Sequence, residues 1–158
     1  MPPPLAYFLT WSTYGTRLHG DIRGTVDRLH NVPGRPLLPP NEVQVEYLSD
    51  NLSQSPFFMD TSHREVVDQA IRDHCETRQW TLLAINVRST HVHVVVDCHA
   101  THSPELAMAQ FKSWGTRRLI KARLVLPDSK LWTDHGSTRW INHADGLVAA
   151  VDYVLNRQ

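Results

Sequence analysis

The chain has 158 residues, a length that suits one domain with its own core and leaves little room for a second. Its 16 Lys and Arg balance its 16 Asp and Glu, so total charge gives no warrant for a nucleic-acid partner and the placement of charge has to decide. Cys75 and Cys98 form neither a disulfide framework nor a CxxC motif, no basic-then-apolar leader opens the chain, and no apolar run approaches the roughly 20 residues of a membrane span. A soluble intracellular protein is the expectation.

In chain order, the aromatic and branched stretch Leu5 to Tyr14 predicts a first strand after the loose "MPPP". From Gly15 to Pro56, glycines and prolines break up any period of 2 or 3.6, so this reads as a Pro/Gly-rich insertion, with a short helix around Glu42 to Leu52. Ser62 followed by Glu65 has the spacing of a capping box, and Val66, Val67, Ala70, Ile71 and Cys75 give a helical apolar face through Arg78. Trp80 to Val87 and His91 to Asp97 then read as two strands of a hairpin. Ser103 as cap with Pro104 at the first helical position opens a long helix to about Leu124. A short strand near Arg139 to Ile141 and a last helix, capped by Asn142 and running through Leu155, complete the chain. The sum is α+β: a ferredoxin-like plait, a central antiparallel sheet with helices on at least one face.

Three features carry chemistry. In "HVHVVVD", alternation across a strand places His91 and His93 on one face, where two neutral imidazoles can converge on one divalent ion. The competing reading is a pair of partly buried histidines satisfied by hydrogen bonds. From Leu106 to Pro127 there is no Asp or Glu, whereas Lys112, Arg117, Arg118, Lys121 and Arg123 are present, so a neutral chain contains a strongly basic helix suited to phosphate contacts. Met108, Phe111, Gly115, Leu119 and Ala122 recur at helical spacing as its buried face, and Trp114 is either a stacking surface or packing. On the last helix, Leu147, Val148, Val151, Val154 and Leu155 cluster on one side of the wheel, which leaves Tyr153 roughly opposite, beside the small Ala149 and Ala150.

Together, "HVHVVV", "FKSWGTRRL", "LWTDHG" and the terminal "AVDYVLNRQ" resemble the single-tyrosine branch of the HUH single-strand DNA endonucleases: insertion-sequence transposases and REP-associated tyrosine transposases. The opening "LTWSTYGTRLHGD" is similar to the REP-associated relatives, whereas the insertion at 15–56 exceeds the compact enzymes. The resemblance implies that His91 and His93 hold Mg²⁺ or Mn²⁺ and that Tyr153 forms a 5′-phosphotyrosine with single-stranded or hairpin DNA. It also implies a homodimer and a bacterial-type cytoplasmic setting, without organic cofactor or membrane. Lys112, Arg117, Arg118 and Lys121 are the expected DNA contacts, joined in the insertion by Arg17, His19, Arg23, Arg28 and Arg35. The compact relatives often place a third metal ligand one turn after the tyrosine, where this chain has Arg157; Asn156, Gln158 or no residue then fills that role, and Arg157 is a candidate for the scissile phosphate. Two other readings stay open: a DNA-binding protein of this fold whose chemistry is weakened or lost, and a metal hydrolase of small phosphoesters, which gives the basic helix no role.

Overall fold

A computed structural model describes residues 3–16 and 54–157. The expected helix at 42–52, the insertion's cationic residues, Tyr47 and Gln158 lie outside the described residues. The elements are β1 (Ala6–Thr13), α1 (Thr61–Arg78), β2 (Thr81–Val87), β3 (His91–Asp97), α2 (Pro104–Lys121), β4 (Trp132–Ile141) and α3 (Ala144–Asn156). The strands form one sheet in the order β2-β3-β1-β4 with every neighbour antiparallel, the expected ferredoxin-like plait, followed by a further helix.

The sheet is covered on both faces, and the alternation of each strand divides its residues between two cores. Tyr7, Leu9 and Trp11 of β1 join Val92, Val94 and Val96 of β3 under Val67 and Ile71 of α1 and Phe111 and Leu119 of α2. Ala6 and Val95 face the other way, onto Ala150 and Val154 of α3. This explains the unbroken valine run: β3 lies inside the sheet with helices above and below, so alternate side chains both lose water contact. Each valine side chain so buried contributes roughly 1.5–3 kcal/mol.

Local signals held with small displacements. The capping box of α1 sits at Asp60, not Ser62: the Asp60 carboxylate accepts from the His63 N–H, and the His63 ring accepts from the Asp60 N–H. Imidazole thus takes the place of the expected glutamate side chain. Ser103 caps α2 as expected, but the helix stops at Lys121, Ala122 is exposed, and Arg123 takes a left-handed φ of 60°. On α3 the N-cap is His143, which makes no side-chain capping bond. The larger departure is β4, ten residues long where three were expected. "TDHGS" carries no alternation of its own; its pairing with β1 imposes the strand. Gly136 is required there, because a Cβ would stand 2.5 Å from the Thr10 carbonyl oxygen and 2.8 Å from Met108 Sδ.

Candidate active site

His91 and His93 project from β3 on the α3 side of the sheet. Their ring centroids are 4.7 Å apart at 83°. Each ring is anchored through Nδ1 by a threonine hydroxyl: Thr10 Oγ1 is 2.9 Å from His93 Nδ1, and Thr90 Oγ1 is 3.1 Å from His91 Nδ1. The first pair follows from register, since Thr10 lies directly opposite His93 on β1. His93 is only 7% exposed. Burial, then the neighbouring His91 and Arg88, push its pKa down to about 4, so it is a neutral imidazole at neutral pH, the form that ligates metals.

Tyr153 comes to this pair from α3. Its ring centroid is 5.9 Å from that of His93, and the Phe8 ring lies 6.0 Å from each. Val154, fully buried, seats the helix, and the Asn86 amide of β2 donates to the Val154 carbonyl at 3.0 Å. The wheel needs one correction. The buried line of α3 runs through Ala150 and Val154 with Leu147 and Val151 beside it, whereas Val148 and Leu155 are exposed. At 100° per residue, Tyr153 therefore flanks the buried line instead of opposing it, which lets one edge of its ring meet the sheet while 44% of the residue stays exposed. Among the described residues the phenol oxygen makes no hydrogen bond. The competing phenols differ. Tyr7 is buried with its hydroxyl donating to the His102 carbonyl at 2.8 Å, burial raises its pKa, and Tyr14 lies against Lys130.

A groove of about 1000 Å³ opens from His93 and Tyr153 between α3 and β4, with Arg139, Asn142 and Asp145 along it. Sequence reasoning missed this groove and the threonines. A threonine amid "FLTWST" was the available signal for Thr10; nothing marked Arg139.

The remaining expected residues are placed elsewhere. Asn156 and Arg157 both bind Asp152, at 3.0 and 2.6 Å, and these hydrogen bonds hold its carboxyl below the usual range. Among the described residues no group of three or more His, Cys, Asp or Glu is arranged to hold a metal. The basic helix α2 packs on the opposite face of the sheet from the histidines and Tyr153. Lys112 is partly buried and donates to the Thr133 carbonyl at 2.8 Å, Arg118 pairs with Asp73 at 2.8 Å, and Arg117 stacks over Trp114. Lys121 is exposed.

Comparison with known proteins gives the same direction. The family described as "Transposase IS200 like" matches residues 53–143, more than half of the chain. Among solved structures, a REP-associated tyrosine transposase bound to a REP hairpin superimposes with a TM-score of 0.54 at 13% identity, covering 94% of this chain and 63% of that one. This chain thus spans less than two thirds of that relative. A Deinococcus radiodurans protein assigned to the transposases superimposes with a TM-score of 0.51 at 17% identity, over 100% of this chain and 94% of that one. No curated protein matches by sequence. No helix among the described residues is long and apolar enough to cross a membrane.

Proposed function

Because the chain belongs to the IS200-like transposase family, we propose that it nicks and rejoins single-stranded DNA through a covalent bond to Tyr153. The observation that carries this reading is the meeting of an exposed phenol with the paired imidazoles, 5.9 Å from ring to ring, beside an open groove. The Tyr153 oxygen gives up its proton and attacks phosphorus. The bond from that oxygen to phosphorus forms, the bond from phosphorus to the 3′ oxygen breaks, and the 3′ oxygen leaves as a hydroxyl after taking up a proton. The phosphodiester energy stays in the tyrosine ester, so a second 3′-hydroxyl can reverse the step and join strands without a nucleotide cofactor.

His91 and His93 fit a divalent ion in their donor chemistry: two adjacent imidazoles, each with Nδ1 occupied by a threonine hydroxyl. Mg²⁺ or Mn²⁺ bound there supplies Lewis-acid polarisation of the phosphodiester. The protein residues have separate tasks: His93 and Thr10 fix the donor geometry, Phe8 spaces the tyrosine from the histidines, and Asn86 holds α3 at its distance from the sheet. Hairpin DNA as substrate, a homodimer and a bacterial cytoplasmic setting belong to the same reading. The hairpin held by the REP-associated relative supports the first of these.

A second reading, a DNA-binding protein with weakened chemistry, is favoured by Asn156 and Arg157, both engaged with Asp152. One experiment separates the two: incubation with labelled single strands carrying a hairpin, in Mn²⁺, followed by denaturing gels and peptide mass mapping. The transposase reading expects a covalent adduct on the Tyr153 peptide and none in Tyr153→Phe. Binding without any adduct supports the second reading, and an adduct on Tyr7, Tyr14 or Tyr47 overturns the assignment.

A further inference from the structure

Arg139 occupies an unusual position for a surface arginine. It lies on β4 directly opposite Phe8, so its side chain leaves the sheet on the α3 side, into the groove that ends at Tyr153. Among the described residues it forms no hydrogen bond, ion pair or ring contact, in contrast to Arg118, Arg157 and Arg117, each of which has a partner. It stands two strands from β3, about 10 Å across the sheet from the histidines. A cation with no counterion among the described residues, one strand spacing beyond the aromatic that touches the nucleophile, suits a phosphate next to the one being cut. The groove is not uniform in charge. At the start of α3, Asp145 in the first turn and Asn142 just before the helix also line it, as do the apolar Ala149 and Phe8. A carboxylate excludes phosphate from that end but accepts hydrogen bonds from the exocyclic amino group of a base.

We propose that this groove is a nucleotide subsite, with Arg139 on a backbone phosphate beside the scissile one and Asp145 and Asn142 on the edge of an unpaired base. It rests on the phosphotyrosine reading for its place in the reaction, but its binding chemistry is independent of cleavage. The subsite puts the cut strand on the α3 side of the sheet, away from the basic helix α2. It also predicts a preference for amino-bearing bases: cytosine has an exocyclic amino group to donate to Asp145, with a ring nitrogen and carbonyl beside it to accept from Asn142, whereas thymine offers Asp145 only its N3–H.

The test uses the full chain carrying Tyr153→Phe, which binds without reacting, and fluorescence anisotropy with labelled dC12 and dT12 across a salt series. Arg139→Gln should weaken binding to both about tenfold and reduce the slope of log affinity against log salt by about 0.7, the value of one single-strand phosphate contact. Arg139→Lys should keep the slope. Asp145→Asn should abolish a preference for dC12 over dT12. Among the described residues Arg139 has no partner, so an unchanged thermal melt is expected for its variants and checks that folding is intact. Unaltered affinity and slope in Arg139→Gln, with the slope lost instead in Arg117→Gln/Lys121→Gln, overturns the phosphate contact; equal binding of dC12 and dT12 overturns the base contact. Adduct formation by the unmodified chain is scored separately, so loss of the transposase reading and loss of the subsite give different results.

Discussion

Replacing Thr10 with valine keeps the shape of a β-branched strand residue and removes one hydroxyl. That hydroxyl lies 2.9 Å from Nδ1 of His93, a residue only 7% exposed, so water has little access to take its place. Two losses follow. The buried ring nitrogen is left without a partner, which costs about 1–3 kcal/mol of folding stability. The ring also loses the contact that selects its tautomer and orientation, and loss of such an outer contact typically lowers metal affinity about 10–100-fold, or about 1.4–2.7 kcal/mol. Titration of the full chain with Mn²⁺, followed by calorimetry or electron paramagnetic resonance, measures the second effect directly. Urea unfolding in chelator measures the first, and ¹⁵N NMR of the imidazoles reports the His93 tautomer without any metal. Thr10→Ser restores the hydroxyl and should recover the affinity. A Thr10→Val protein with unchanged tautomer and undiminished Mn²⁺ binding would refute the positioning role, whatever its stability.

Two further outcomes concern the same sheet. Gly136→Ala should lose several kcal/mol in urea unfolding, because its methyl meets a backbone oxygen of Thr10 that cannot move without parting β1 from β4; a loss under about 0.5 kcal/mol would show that β4 yields instead. In chelator, stability should be flat above about pH 6.5, the unfolded histidine value, and fall as the pH drops toward 4, because the unfolded chain binds a proton that buried His93 refuses. That loss reaches up to about 3 kcal/mol for His93. His74, lowered in the same direction chiefly by burial, adds to it over the acid side of the window. His93→Asn should flatten this limb relative to the parent, and an identical limb in both would refute the assignment.

The fold was legible wherever a segment's own pattern matched its surroundings. The valine run of β3, the Ser103-Pro104 start of α2 and the apolar period of α1 each specify one structure locally, and all three are found within a few residues of expectation. β4 is longer than its own pattern predicts because an edge strand half exposed to water needs no alternation; its partner β1 supplies the order. The α1 cap moved because both Asp60 and Ser62 are good capping residues, and the reciprocal bond went to a histidine, which the usual spacing rule does not include.

The candidate site divides along a different line. His91, His93 and Tyr153 could be named because periodicity within one strand or helix fixes a direction, and a resemblance linked the two elements. Thr10, Phe8 and Arg139 could not, because their value lies in register. Thr10 matters only when β1 lies beside β3 with residue 10 opposite residue 93, and Arg139 only when β4 adds to the other side of β1. Neither relation is written in any local window. The same reasoning explains the basic helix. Its run of cations is visible in the chain, but the layer it occupies is set by the plait, which puts α2 behind the sheet from the histidines. There, Lys112 and Arg118 are held by the Thr133 carbonyl and Asp73, leaving Lys121 as its outward charge and Arg117 over Trp114. Linear charge density therefore overstates what α2 offers a phosphate, and the cation that shares the tyrosine's groove comes from a strand whose sequence gave no warning of it.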